Sequence, residues 1–440
     1  MRIIEEDKIS VALVSGCLLA LLFWGWWHGS HTSLILGGSD TLIAIGRLFG
    51  LLGMFTLLLQ LVLVGRITFI EDLWGHDKMN RIHRTVGYCI LIFFIGHAAL
   101  MYLGYGAQTG SSFITQTKNF ITNWEDILNA LIGVLLFIVI IILSIPFVRR
   151  KLRYETWYFS HLFLYVAIVL VFAHQTNSTD LIVSPLFLLY WNILVYGVIG
   201  IMLLYRFGRP LFLLYRHKFK VEKVVAENNN TASIYITGEQ MNRFHFTAGQ
   251  FAHLRFFAKG FWSESHPFSF SVAPNGTYVR FTPKAIGDYT ARIPQLPVGT
   301  HVLIDGPLGH FTLANAHSKK YLLIAGGIGI TPIRALMQTI AHESGDMKLV
   351  WAVTSESDLV FMNEIPNFLT AISIFVSKET TNPAYIPGRI TKESLAHIAP
   401  DIIERDIFLC GPPVMMDAVQ KILRELGVEK KYIHFEKFSY

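Results

Sequence analysis

The sequence predicts two unlike parts in one 440-residue chain: a six-helix transmembrane bundle, then a soluble unit joining an antiparallel β-barrel to an α/β nucleotide-binding fold. Three observations lead there. Residues 1–205 hold 12 Lys+Arg and 11 Asp+Glu, whereas residues 206–440 hold 25 and 20, so the second part is nearly twice as charge-dense. Six stretches of about 20 apolar residues, the length that crosses a bilayer, all lie in the charge-poor part. Beyond them, short alternating segments give way to strands alternating with helical stretches, the pattern of a parallel sheet. The chain is 52% hydrophobic and 15% charged, which excludes a disordered chain, a coiled coil and a collagen-like repeat. Cys17, Cys89 and Cys410 are too few and too scattered for a disulfide framework or a zinc site. The basic residues are spread along the chain, which argues for positive loops on a membrane protein rather than for nucleic-acid binding.

The expected spans are 9–27, 41–65, 82–104, 126–147, 155–174 and 182–205. The first lacks a small-residue cleavage site and ends in Trp24, Trp26 and Trp27, so it reads as a span with an aromatic belt rather than a secretory signal. Arg2 and Lys8, then Arg66, Lys78 and Arg81, then Arg149, Arg150, Lys151 and Arg153 fall on one side, while the loops on the other side carry Lys118 alone. The positive-inside rule then places both termini in the cytoplasm. Scattered cysteines and short loops favour a prokaryotic plasma membrane.

Ionisable side chains inside spans are costly and point to function. Span three holds His83 and His97, and span five holds His161 and His174. Separations of 14 and 13 residues are about 21 and 20 Å along a helix. Two such helices can clamp two stacked planar cofactors, and imidazole is a good iron ligand. Four histidines in matched pairs fit that reading better than isolated helix–helix hydrogen bonds. Fourteen residues return within about 40° of the starting face, but thirteen miss it by about 140°. Span five therefore needs a distortion such as a π-bulge, or its histidines reach their irons from different sides. Arg47 lies one to two turns into span two from the outer side. It reads as a snorkelling arginine, or as a cation near an outer haem that pairs a propionate or attracts an anionic product.

In the second part, 232–237, 250–255, 278–282 and 301–305 alternate as short strands. Further on, 321–325 reads as a buried strand, 326–332 as a glycine-rich turn and 333–342 as a helix, with strands again at 348–353 and 407–410. Glycines after a strand let backbone N–H groups approach a pyrophosphate at a helix N-terminus. The turn departs from G-x-G-x-x-G and has Pro332 at the helix start, where proline is tolerated.

His266-Pro267-Phe268-Ser269, Gly287-Asp288-Tyr289-Thr290, Gly306-Pro307-Leu308-Gly309, the 326–332 turn and Cys410-Gly411-Pro412-Pro413 follow in order. With the two histidine pairs, they make residues 10–440 resemble the NADPH oxidase / ferric reductase family. The resemblance implies a ferredoxin-reductase-like second part, with domains at 1–210 (transmembrane, haem-binding), 211–316 (FAD-binding barrel) and 317–440 (NAD(P)H-binding). It implies His83 and His161 as ligands of an inner b-type haem, and His97 and His174 as ligands of an outer one. His266, Pro267, Phe268 and Ser269 are then the flavin-holding motif, with Thr290 on the flavin pyrophosphate. Gly327, Gly329, Thr331 and Pro332 are the nicotinamide-nucleotide turn, and Cys410, Gly411 and Pro412 lie near the nicotinamide ring. Phe438 and Tyr440 are similar to the C-terminal aromatic that stacks on the flavin and yields to nicotinamide.

Two departures stand out. Oxygen-reducing members often carry a further histidine one turn beyond the outer ligand, where this chain has Met101. Residues 354–358 offer no arginine or lysine for a 2′-phosphate, and Glu356 leans toward NADH, so the choice between NADPH and NADH stays open. No long insertion or EF-hand loop interrupts the second part, so neither calcium control nor an obligatory regulatory subunit is expected.

The expected function is that of an enzyme. A transmembrane flavocytochrome passes electrons from cytoplasmic NAD(P)H through FAD and two haems to an extracytoplasmic small-molecule acceptor, first of all oxygen, giving superoxide. Ferric-chelate reduction, or donation to a membrane or extracytoplasmic partner protein, uses the same wiring. The reading from a different class is a transporter or sensor with a regulatory nucleotide domain, and the histidine pairs stand against it. Membrane lipid is an expected partner and nucleic acid is not.

Overall fold

The computed structural model describes residues 2–175, 179–343, 345–368 and 371–437. The chain divides into two compact units, 1–67 with 78–203 and 68–77 with 204–440. Residues 68–77 group with the second unit.

The helices of the first half are α1 (Arg2–Leu36), α2 (Gly38–Val64), α3 (Thr68–Trp74), α4 (His76–Thr109), α5 (Phe113–Asn123), α6 (Ile127–Ser144), α7 (Pro146–Arg149), α8 (Tyr154–Ala173), α9 (Thr179–Val183) and α10 (Pro185–Leu203). Among the described residues, α1, α2, α4, α6, α8 and α10 carry the six stretches long and apolar enough to cross a membrane. The six expected spans each fall on one of these helices. A helix suits them because it satisfies every backbone N–H and C=O within the segment, which lipid cannot do. Close approach of α6 and α8 depends on Gly133, where an added Cβ would lie 3.1 Å from the Ala167 carbonyl oxygen and against Val171. The Trp26 indole N–H donates to the Ala44 carbonyl at 2.8 Å, tying α1 to α2. The Tyr190 hydroxyl donates to the Leu18 carbonyl at 2.6 Å, tying α10 to α1.

The second unit continues from a π-helical turn, Leu204–Gly208, into α11 (Arg209–His217). Six strands follow: β1 (Lys220–Asn228), β2 (Thr231–Thr237), β3 (Phe251–Phe256), β4 (His266–Ser269), β5 (Val279–Phe281) and β6 (Val302–Leu308), with α12 (Asp288–Ala291) between the last two. They form two antiparallel three-stranded sheets, β1-β2-β5 and β4-β3-β6. Bridges Phe270↔Phe281 and Lys220↔His301 join the sheets at both edges and close a barrel. Its core holds Phe219, Phe256, Phe270 and Phe281.

The rest comprises β7 (Lys320–Gly326), α13 (Ile330–His342), β8 (Asp346–Val353), β9 (Ile372–Val376), β10 (Ile386–Pro387), α14 (Lys392–Ile398), β11 (Asp406–Gly411), α15 (Pro413–Glu425) and β12 (Ile433–Lys437). The sheet is parallel throughout, ordered β10-β9-β8-β7-β11-β12. β11 is buried along its whole length and β7 after its first residue, as expected for central strands with both faces covered. From β7 the chain winds outward through β8 to β10, then returns to the other side of β7 with β11. The order therefore reverses between β7 and β11, and at such a switch point the strand C-termini open a crevice suited to a nucleotide.

Candidate functional site

In the first unit, the structure brings the four span histidines together as two pairs. The His83 and His161 ring centroids lie 6.5 Å apart, and those of His97 and His174 lie 6.1 Å apart. Metal–imidazole bonds of about 2.0–2.1 Å place two rings on one ion about 6 Å apart between centroids, so the spacing fits a bis-imidazole iron at each level. The ring nitrogens are set for it as well. The His97 Nδ1–H donates to the Gly46 carbonyl at 2.8 Å, and the His174 Nδ1–H to the Val171 carbonyl at 2.6 Å. A carbonyl can only accept, so Nε2 is left unprotonated for a metal in both. His161 Nδ1 lies 3.3 Å from the Ser144 hydroxyl, whose own proton goes to the Ile140 carbonyl at 2.8 Å. His161 is therefore the donor there, and its Nε2 is also free. Gly50 admits the His97 ring, since a Cβ there would lie 3.0 Å from Nδ1. Phe94 of α4 packs edge-on against Phe137 of α6 at 5.3 Å, and both belong to the buried core of this unit.

The thirteen-residue spacing in span five is accommodated without an internal bulge. Helix α8 is regular to Ala173, and His174 is its C-cap. The next N–H, from Gln175, bonds back only three residues, to the Phe172 carbonyl at 3.1 Å. His174 thus stands at the end of the helix rather than inside it, and its ring lies 6.1 Å from that of His97. The π-helical turn of this chain lies at Leu204–Gly208 instead.

Arg47 is in an ion pair. Its Nε lies 3.3 Å from Asp180 Oδ2, its Nη2 donates to the Ser30 hydroxyl at 2.9 Å, and the Asp180 side chain is 2% exposed. Its charge is thus taken up by α9, a partner that the sequence reading missed. An acidic residue in a short loop otherwise lacking a basic one was the available signal.

In the second unit, His266, Pro267, Phe268 and Ser269 form β4 and pair antiparallel with β3. The Ser269 hydroxyl is buried with no hydrogen-bond partner among the described residues. An orphaned donor on the proposed flavin motif fits a ligand that takes its proton. The His266 Nε2–H donates to Glu264 at 3.0 Å, and its ring stands 4.1 Å from that of Tyr289. The Thr290 hydroxyl accepts from the Ile286 and Gly287 N–H groups at 3.0 and 3.1 Å, and donates to the Gly287 carbonyl at 3.0 Å. It caps α12, so its first role here is to shape that turn.

The two glycine turns meet at the β7/β11 switch point. Gly327 has φ of +52°, a left-handed conformation that glycine adopts without strain. Its carbonyl accepts from the Trp351 indole at 3.0 Å. At Gly329 a Cβ would overlap the Cys410 carbonyl, and at Gly411 it would lie 2.9 Å from the Gly326 Cα. Both therefore serve close backbone packing between the turns. The Thr331 hydroxyl donates to the Ile328 carbonyl at 3.0 Å, and Pro332 is buried in the first turn of α13. Pro412 is the N-cap of α15. Cys410 is fully buried, and that burial, then the neighbouring Glu436, hold its thiol well above the usual value. A buried thiol held neutral in this way is a poor nucleophile. Phe438 and Tyr440 lie outside the described residues.

Reading the sequence also missed a buried ionic link across the second unit. Glu364 accepts from Arg280 of β5 at 2.8 and 3.2 Å and from Arg334 of α13 at 2.8 and 2.5 Å. An arginine within Val279-Arg280-Phe281 and another within Ile333-Arg334-Ala335, both in apolar patterns, were the signal.

The fold and these sites define a membrane-spanning oxidoreductase of the FAD- and NAD-binding reductase type. Comparison with known families agrees. Residues 49–172 match the ferric reductase like transmembrane component, 217–312 an FAD-binding domain and 323–421 an oxidoreductase NAD-binding domain. In that order they make the NADPH oxidase / ferric reductase architecture, which this chain has.

About half of the chain is also similar to known reductase and electron-transfer components. The glycine betaine monooxygenase reductase subunit of Chromohalobacter salexigens is 27% identical over 243 residues, 51% of this chain and 64% of that protein. The toluate 1,2-dioxygenase electron transfer component of Pseudomonas putida is 29% identical over 226 residues, 48% of this chain and 64% of that protein. The match thus spans under two thirds of each relative. Among solved structures, the FAD/NAD-binding domain of a Vibrio cholerae nitric oxide dioxygenase aligns at 24% identity and a TM-score of 0.45, over 50% of this chain and 97% of that one.

Proposed function

We propose that the chain is a transmembrane flavocytochrome b in the plasma membrane, with both termini cytoplasmic. It takes electrons from NAD(P)H in its second unit and delivers them outside to oxygen as superoxide. The observation that carries this reading is the pairing of four histidines at 6.5 and 6.1 Å within one bundle, on the same chain as an FAD- and NAD-binding unit. When bound, FAD splits the electron pair of a hydride into single electrons and the haems relay them. The chain's own residues do the holding. His83 with His161, and His97 with His174, would each hold one haem iron between two imidazoles. Backbone carbonyls at Gly46 and Val171 fix the ring tautomers. The Ser269 hydroxyl would donate a hydrogen bond to the flavin, and the paired glycine turns would hold the nucleotide. The wiring needs no partner protein, and a small-molecule acceptor suffices.

Two observations favour ferric-chelate reduction as a second reading. Met101 offers no protonatable group one turn beyond His97, and its sulfur would meet a Cβ at Gly46 at 3.1 Å. The Arg47 charge is neutralised by Asp180 rather than left to attract an anion.

In the test, His97→Ala is expected to lower haem content from two to one per chain, by pyridine haemochrome assay, with NADH-driven flavin reduction preserved. Unchanged haem content would refute the assignment. Purified protein given NADH or NADPH is then assayed for dismutase-sensitive dye reduction beside ferric-chelate reduction. If the dye signal ignores the dismutase and ferric reduction dominates, the second reading replaces the first.

A further inference from the structure

We propose a divalent transition-metal site in the second unit, built from His317, Asp406 and His434, at the edge of the parallel sheet where β7 and β11 begin. It lies at the opposite end of those strands from the glycine turns. One donor atom from each residue lies within 4.8 Å of the others. A cation set among them starts no more than about 2.8 Å from each, and bonds of about 2.0–2.2 Å need only small rotations of the two imidazoles.

The carboxylate is already oriented for this. The Asp406 side chain is 0% exposed. Its Oδ2 accepts from the His317 and Ser318 backbone N–H groups at 2.7 and 2.5 Å. That turns Oδ1 toward both rings, 2.7 Å from His434 Nε2 and 3.6 Å from His317 Nδ1. Outer contacts that fix a ligand in this way are the usual support of a metal centre. The His434 ring is held by stacking on Phe408 at 4.6 Å, and it lies 17° from parallel to His317, with centroids 6.1 Å apart. His317 is at the surface, so further coordination positions open to water.

Two imidazoles, one carboxylate and an open position make a donor set suited to zinc, and the same set takes nickel or copper. The cysteine count argued against a zinc site, but it says nothing about one made of histidine and aspartate. In the metal-free arrangement His434 Nε2 donates its proton to Asp406. Metal binding displaces that proton to solvent. The three ligands come from the segment before β7, the first residue of β11, and β12. A bound ion therefore staples β12 to the centre of the sheet.

The test uses full-length, haem- and flavin-loaded protein, treated with EDTA, dialysed and titrated with zinc chloride by calorimetry. One saturable equivalent per chain is expected, together with a higher temperature of flavin release. His317→Ala and His434→Gln are each expected to weaken binding at least about tenfold. The His317 side chain is 25% exposed, and intact NADH-driven flavin reduction in His317→Ala confirms that the variant folds. Absence of a saturable equivalent, or unaltered zinc affinity in His317→Ala, overturns the proposal.

Discussion

Replacing Glu364 with alanine tests the ionic link between the barrel and the nucleotide-binding sheet. Glu364 takes hydrogen bonds from Arg280 and Arg334, whose side chains are 3% and 8% exposed. Both guanidiniums also donate to the Ser271 carbonyl, at 2.9 and 3.1 Å. Burial, and next the neighbouring Arg280, already pull the Arg334 guanidinium below its usual value. Without Glu364, two buried cations face each other with no carboxylate between them. Breaking a buried pair costs about 3–5 kcal/mol. Glu364 itself is 32% exposed, so water reaches the site and the low end, about 3 kcal/mol, applies. At about 2–4 °C per kcal/mol for a unit of this size, the melting temperature falls by about 6–12 °C. Flavin fluorescence on release, followed while full-length protein is heated, measures it. Glu364→Gln keeps one acceptor and is expected to fall between the two. A loss under about 1 kcal/mol, the value of an ordinary surface pair, would refute the reasoning.

The remaining predictions concern charge, pH and reactivity. Arg47→Ala strands the Asp180 carboxylate and is expected to cost about 3 kcal/mol, read as a lower temperature of haem loss. Adding Asp180→Asn is expected to recover part of that, whereas additive losses would contradict the pair. Acid is expected to destabilise the second unit. Burial pushes the Asp358, Glu364 and Asp406 carboxyls up, but Lys284, Arg280 with Arg334, and His434 with two backbone N–H groups respectively outweigh it and hold them below the usual range. Groups lowered in the folded state add stability above about pH 4 and lose it as pH falls through their folded values. The melting temperature should be level above about pH 5 and drop below about pH 4, and a level profile down to pH 3 would count against these pairs. Cys410 is neutral and buried, so maleimide should modify it only after unfolding. Mass-spectrometric detection of the adduct on native protein would contradict this.

Some of this protein is legible in neighbouring residues alone. Six long apolar runs can only be helices in lipid, because no other segment satisfies its own backbone there. The order of His-Pro-Phe-Ser, the glycine turn and Cys-Gly-Pro identifies the second part, since each motif is a local turn or strand whose residue types answer a local demand. The four histidines also stand out one by one as costly groups inside spans.

Other features were decided only when distant segments met. The pairing of His97 with His174 was expected, but that α8 stays a regular helix to Ala173 and ends at His174, with no π-bulge inside it, was not. Arg47 finds Asp180, Arg280 and Arg334 share Glu364, and His317, Asp406 and His434 converge from three separate segments. Periodicity and run length are properties of neighbouring residues, so they survive in a linear reading. Which buried charge meets which partner depends on the faces that pack, and only the tertiary structure brings those faces together.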